Sequence, residues 1–247
     1  MSRSLPFLAL AMSSLLLSTS ACSRTDESPA ADEVARTAQD WSTLRDFSAI
    51  EATGPDQVAV TIAPDFSVKA QGNADAVADL DIQVKDGKLV IGRKSKWNWD
   101  DDRNDHSATV HVTMPAIRGA DLTGAGDFDL DKAEGDSLDL SLTGAGDFRV
   151  GTVKLKSLTT DITGAGSVRI AGTADTAKLS LTGAGDIDGE ALKVGSADVS
   201  ILGAGDIDFA SDGRVAISIM GPGDVTVKGK AQCTTTGVGP GEAHCAP

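Results

Sequence analysis

Apolar and polar positions alternate along most of the chain after residue 41, and pairs of glycines interrupt the alternation at a nearly constant interval. Ahead of the glycines the chain reads Leu138-Asp-Leu-Ser-Leu142, Ala177-Lys-Leu-Ser-Leu181, Ala197-Asp-Val-Ser-Ile201 and Val215-Ala-Ile-Ser-Ile219. After them the pattern resumes as Phe128-Asp-Leu130, Phe148-Arg-Val150, Val168-Arg-Ile170 and Ile207-Asp-Phe209. A period of two with β-branched residues predicts strands with one buried face, and the glycines mark tight bends. The interrupting segment is Leu122-Thr-Gly-Ala-Gly-Asp127, and its Gly-x-Gly-Asp core recurs from positions 124, 144, 164, 183, 203, 221 and 239, the last copy ending in Glu242. A repeat of 18 to 20 residues signals a solenoid. No helical crossover fits between turns, where Val153 and Leu155 keep alternating. Each repeat is therefore predicted to be one all-β coil, hydrogen-bonded to the next at a spacing of about 4.8 Å.

Stacking places equivalent residues in columns. Two columns are apolar: Phe128, Phe148, Val168, Ile187, Ile207, Val225 and Leu122, Leu142, Ile162, Leu181, Ile201, Ile219. These are the predicted core. Their neighbours are polar (Asp121, Ser141, Asp161, Ser180, Ser200, Ser218) or mixed in sign (Asp129, Arg149, Arg169, Asp188, Asp208, Thr226), as a solvated face requires. Burial of one face sets the register.

Residues 41–119 alternate without a clear repeat, over Phe47 to Thr53, Gln57 to Ile62, Phe66 to Gln71, Leu80 to Val84, Lys88 to Arg93 and Ala108 to Met114. No linker separates this part from the repeats at 120–247, so 41–247 reads as a single domain whose first part covers the N-terminal end of the solenoid, where a bare coil would expose unpaired backbone. Upstream, Met1 to Ala21 has Arg3, an apolar run from Leu5 to Leu17 and a small-residue end, which is the pattern of a secretory signal peptide. The ending Ser20-Ala-Cys22 resembles a bacterial lipobox, with Thr19 where Leu is commoner; the resemblance implies cleavage before Cys22 and its lipidation, and Ser23 after it implies sorting to the outer membrane. Residues 22–40 are poor in large apolar side chains and read as a flexible tether, with a short helix over 31–44 as the one ordered element compatible with them. Of three cysteines, lipidating Cys22 leaves Cys233 and Cys245 as an even pair in an oxidising compartment, hence a disulfide.

The serial Gly-Ala-Gly-Asp turns, the segment Phe47-Ser-Ala-Ile-Glu-Ala-Thr-Gly54, the Lys96-Trp97-Asn-Trp99 loop before Val110-His-Val-Thr-Met-Pro115, and the closing cysteines together resemble the head GIN domain family of autotransporter-adhesin-like proteins. The resemblance spans nearly all of 41–247. It implies a right-handed, single-stranded β-helix-like solenoid exported to the bacterial cell envelope. It supplies no catalytic residues and no cofactor.

Charge narrows the partners. With 22 basic and 36 acidic residues the net charge is −14, which disfavours nucleic acid and anionic membrane surfaces and leaves the N-terminal lipid as the expected membrane contact. Three Trp, six Phe and no Tyr offer few platforms for stacking sugars.

Three features carry candidate chemistry. The first is the acidic turn column Asp127, Asp147, Asp186, Asp206, Asp224, Glu242, interrupted by Ser167. Carboxylates about 5 Å apart repel by roughly 1 kcal/mol in water, and Ca²⁺ at Asp186, Asp206 and Asp224 would relieve this. The turns lack the nonapeptide period of calcium solenoids, so the preferred reading is structural, each carboxylate accepting from backbone N–H groups of the bend. The second is the Trp97 and Trp99 loop beside an acidic run, either a contact patch or a lid over the first coil, with the lid preferred because buried Trp is the commoner use. The third, His106, His111 and His244, has no metal-ligand spacing.

These readings converge on an envelope lipoprotein whose solenoid presents a surface to an envelope protein or glycan. The competing reading is a solenoid acting on acidic polysaccharide, which needs clustered Asp, Ca²⁺ and a base such as Arg149 or Arg169 in a groove.

Overall fold

The two glycines of each turn share one constraint, and the first carries a second. Gly144 adopts φ 130°, a conformation in which an L side chain is strained. A Cβ there would also overlap the carbonyl oxygen of Gly124, and one on Gly146 that of Gly126, each one coil away. Corners therefore stack on bare backbone, and the residue between the glycines continues the ladder: the N–H groups of Ala145, Ala165, Ala184 and Ala204 donate to Gly124, Gly144, Gly164 and Gly183, each at 2.9 Å.

The computed structural model describes residues 36–94 and 107–246. In chain order these form β1 (Arg36–Asp40), β2 (Ala49–Gly54), β3 (Gln57–Ile62), β4 (Ser67–Asn73), α1 (Ala74–Asp79), β5 (Leu80–Lys85), β6 (Lys88–Arg93), β7 (Ala108–Met114), β8 (Gly119–Gly124), β9 (Phe128–Gly144), β10 (Asp147–Gly164), β11 (Ser167–Gly183), β12 (Asp186–Gly203), β13 (Ile207–Ser211), β14 (Arg214–Met220), β15 (Val225–Lys228), β16 (Gln232–Val238) and β17 (Ala243–Ala246). Strands β9 to β12 each run unbroken from one turn to the next, bending where the register shifts, as between Val150 and Thr152. Parallel pairing stacks the coils in the expected register, with Phe148 beside Phe128 and Val168, and Ile162 beside Leu142 and Leu181. The protein is a β-solenoid.

Each coil contributes a strand segment before its glycine turn and one after it, and the two segments face each other across the core. Leu138, Leu140 and Leu142 come from the first, Phe128 and Leu130 from the second, all buried. The rings of Phe128 and Phe148 lie 5.0 Å apart and tilted by 55°, an attractive aromatic geometry. Two inward positions of the repeats depart from the apolar rule among the described residues: Ser211, beside Val194, is fully buried with its hydroxyl accepting from the Gly213 N–H at 3.2 Å, and Thr160, between Leu140 and Leu179 in its column, is fully buried with its hydroxyl unpartnered.

The solenoid begins earlier than the sequence pattern indicates. Strand β2 pairs in parallel with β8, setting Gly54 beside Gly124, and β3 pairs with β9, setting Val58 beside Phe128. Strands β6 and β7 add a further coil on β2 and β3. The outer edges of that coil are covered by antiparallel strands, β5 on β6 and β4 on β7, with β1 antiparallel to β4. The first part of the domain is thus solenoid and cover together. Residues 36–40, expected as tether or helix, are a strand because the open edge of β4 offers them a ladder, a tertiary contact that overrides local preference. Helix α1 was also not anticipated; Asn73 caps it, its side chain accepting from the Asp75 N–H at 2.9 Å.

At the other end, β16 continues the column of β14, and β17 that of β15. Cys233 follows Val215 and Cys245 follows Val227. The cysteines thus occupy two facing core columns, and a Cys233–Cys245 disulfide joins them, with Cα atoms 6.6 Å apart. A covalent link stands where earlier coils have apolar packing.

Candidate contact surfaces

Stacking turns the acidic column into a hydrogen-bond ladder between coils. Asp127 accepts from the N–H of Asp147 at 3.2 Å, Asp147 from Ser167 at 3.1 Å, Asp186 from Asp206 at 3.0 Å, Asp206 from Asp224 at 2.9 Å and Asp224 from Glu242 at 2.7 Å. The carboxylates thus accept from nearby backbone N–H groups, as expected of a turn residue. The donors belong to the equivalent residue of the next coil, which parallel in-register stacking brings within reach. Among the described residues no group of three or more His, Cys, Asp and Glu is arranged to hold a metal ion. His111 in β7 meets Gln71 and His244 in β17 lies 3.5 Å from Glu242, at opposite ends of the solenoid. His106, Trp97, Trp99 and Cys22 lie outside the described residues.

Beside the ladder runs the mixed column of the same face. Arg149 reaches three carboxylates, Asp127 at 2.9 Å, Asp147 at 3.2 Å and Asp129 at 3.6 Å. Its pKa is raised, first by the hydrogen bond to Asp127 and then by the charges of Asp127, Asp129 and Asp147. Arg169 Nε donates to Asp188 at 2.9 Å, and that bond is the main reason the Asp188 carboxyl is held below its ordinary range. Between the arginines an open depression of about 400 Å³ is lined by Ser167, Asp186, Asp188 and Asp206 among others. The carboxylates and arginines of the polysaccharide reading are therefore together, but both guanidiniums are engaged by the protein's own carboxylates.

The opposite face, built from the segments before each turn, has a different character. Its outward rows near the C-terminal end are Ser180, Ser200, Ser218, Thr236 and Lys178, Asp198, Ala216, Thr234, around an open depression of about 300 Å³. The next row is threonine in the early coils, Thr123, Thr143, Thr163 and Thr182 in register, and then becomes Leu202, Met220 and Val238. These three are 50 %, 49 % and 79 % exposed. A contiguous apolar row replacing a threonine row marks a contact surface more than scattered exposed residues do. The signal was present in the alignment as Thr-Gly giving way to Leu-Gly, Met-Gly and Val-Gly.

A second feature not anticipated is the buried ion pair at the capped end. Asp56 stands where later turns have their second glycine, and it is 4 % exposed. It accepts from Arg93 Nη2 at 2.6 Å and Nε at 3.0 Å and from the Ala108 N–H at 2.9 Å. The fork geometry and the added backbone donor compensate its burial. Asp56 thereby ties the end of β6 to the start of β7.

The fold and the turns define the relationship. A family model described as "Putative auto-transporter adhesin, head GIN domain" matches residues 46–231. The chain belongs to the head GIN domain family. No curated protein matches the sequence. Among solved structures, a putative adhesin from Bacteroides fragilis NCTC 9343 superposes with a TM-score of 0.76 at 22 % identity, over 84 % of this chain and 96 % of that one. A putative lipid binding protein from Parabacteroides distasonis ATCC 8503 superposes with a TM-score of 0.68 at 16 % identity, over 85 % and 97 %. At these identities the likeness establishes the fold alone.

Proposed function

We propose that this head GIN protein is a non-catalytic cell-envelope lipoprotein, carried across the membrane by the signal at 1–21, lipidated at Cys22 and sorted to the outer membrane, whose solenoid contacts an envelope protein or glycan. The observation that carries the contact reading is the row Leu202, Met220 and Val238, exposed in register beside small Ser and Thr side chains. Desolvating three large apolar groups on a rigid sheet favours association without a conformational change. The adhesin description of the family supports an exported surface role, as does a disulfide, which persists in oxidising compartments. Arg149 and Arg169, the bases an acidic-polysaccharide enzyme would draw on, are held in ion pairs on a chain of net charge −14, so that reading has less support.

Returning the row to the threonine of the earlier coils tests the contact. Immobilised parent protein is expected to retain envelope material that a Leu202→Thr/Met220→Thr/Val238→Thr variant of equal melting temperature does not. Equal retention by both overturns the reading. The anchor is tested separately by labelling cells with a fatty-acid analogue: a Cys22→Ser protein that takes up as much label as the parent contradicts lipidation there.

A further inference from the structure

The two ends of the solenoid are finished differently. At the first coil, β5, β4 and β1 cover the edges. At the last, β16 pairs with β14 and, among the described residues, with no strand on its far side. Its backbone groups on that side face outward along the solenoid axis. The strand reads Gln232-Cys-Thr-Thr-Thr-Gly-Val238, without a charge or a proline, and is exposed along most of its length. Natural edge strands are usually protected by lysine, proline or a bulge. Here Lys230 and Pro240 lie outside the strand, leaving an uncharged seven-residue edge of high β-propensity.

We propose that two copies of this chain dock end to end through antiparallel pairing of their β16 edges. Two features favour a second copy over another partner. First, the strand is self-complementary about Thr235: antiparallel pairing sets Thr235 opposite its own copy and Thr234 opposite Thr236, and cross-strand Thr pairs are favourable. A two-fold axis through Thr235 along the sheet normal also keeps both interiors on the same side, so the columns ending in Cys233, Thr235 and Gly237 continue into the partner's core, as an isologous interface requires. Second, with 36 acidic against 22 basic residues, two copies repel over most of their surface, and the uncharged β16 edge is where they can approach, Glu242 and His244 lying on the β17 side of the last coil. In the resulting pair the two β1 strands lie at opposite ends. Of the apolar row, Leu202 and Met220 stay exposed on the side of each copy, while Val238, the last residue of β16, falls at the margin of the pairing opposite Gln232 of the other copy.

Sedimentation velocity over a concentration series tests the proposal on three proteins: the parent, Thr235→Lys, which points a charge into the interface, and Thr123→Lys, which places the same charge on an outward row. The parent and Thr123→Lys are expected to shift from one to two copies with rising concentration, and Thr235→Lys to remain a single copy with the parent's circular dichroism. A second measurement covers a misfolded lysine variant. Under mild oxidation Thr235→Cys should cross-link through residue 235 at least tenfold faster than Thr123→Cys, with the Cys233–Cys245 bond intact by peptide mapping. A parent that stays a single copy throughout, or equal cross-linking of the two cysteine variants, overturns the proposal. Binding of the β16 edge to an envelope protein without self-association does so as well.

Discussion

Asp224 and Glu242 stand one coil apart and are joined by a 2.7 Å hydrogen bond from the Glu242 backbone N–H to the Asp224 carboxylate. The same bond links Asp206 to Asp224 and Asp186 to Asp206. The motif's acidic residue is thus a strut between coils, and what matters at the position is an acceptor oxygen of the right length. Asp206→Ala should lower stability by about 1 kcal/mol, the net worth of a partly exposed hydrogen bond. Asp206→Asn, which keeps an acceptor oxygen, should lose much less. Urea unfolding of the two variants compares them; equal losses would mean that charge rather than the bond is what counts.

Thr160 lies fully buried with no partner for its hydroxyl. Leu140, Leu179 and Val199 occupy the same column. Thr160→Val keeps the branched shape and removes the unsatisfied group, so it should stabilise the domain by roughly 1 kcal/mol. A lower urea midpoint for this variant would show that the hydroxyl has a partner.

The Cys233–Cys245 bond joins facing core columns at the last coil. A loop of this size should contribute about 3 kcal/mol through the unfolded chain. In a Cys233→Ser/Cys245→Ser protein, hydrogen exchange should reveal lost protection in β15, Val225–Lys228, while residues 138–142 of β9 keep theirs, because the end frays before the middle. Two free thiols in the exported protein would contradict the bond.

The Asp188 carboxyl is held below its ordinary range, chiefly by the hydrogen bond from Arg169. A depressed folded value contributes stability that is present above the unfolded pKa and disappears as pH falls through the folded one. The pair is largely exposed, so the gap between parent and Asp188→Asn should be only about 0.2–1 kcal/mol near neutral pH. It should close on acidification below the carboxylate range and shrink with salt. A gap unchanged by acid would assign the effect to something other than ionisation.

The columns were legible in the sequence because parallel in-register stacking makes each coil an independent copy of one pattern: Phe128, Phe148 and Val168 had to share an environment. The first coils were not, because Gly54-Pro-Asp56 replaces the second glycine with an acid that pairs with Arg93, and because β6 and β7 enter the stack after β2 and β3 in the chain. The strand at Arg36–Asp40 was hidden for a related reason, since its partner β4 supplies what its own residues do not. The coil that supplies the ladder donors is not legible, because a single-coil view of Asp147 does not contain the Ser167 N–H. The apolar row of Leu202, Met220 and Val238 was overlooked because the glycines drew the alignment, although the change from threonine stood beside them.

The central claim is that the repeated acidic turn is architecture, its carboxylates committed to the next coil's backbone and not to an ion. Thermal melts of the purified protein under calcium titration test this most directly, because a bound ion must stabilise by RT ln(1 + [Ca²⁺]/Kd), about 2.7 kcal/mol at a hundredfold excess over Kd. For a domain of this size that corresponds to a rise of roughly 5–10 °C. The account expects a melting temperature essentially unchanged by micromolar calcium, in the parent and in Asp206→Asn alike. A rise of many degrees in the parent that Asp186→Asn, Asp206→Asn or Asp224→Asn abolishes would contradict it.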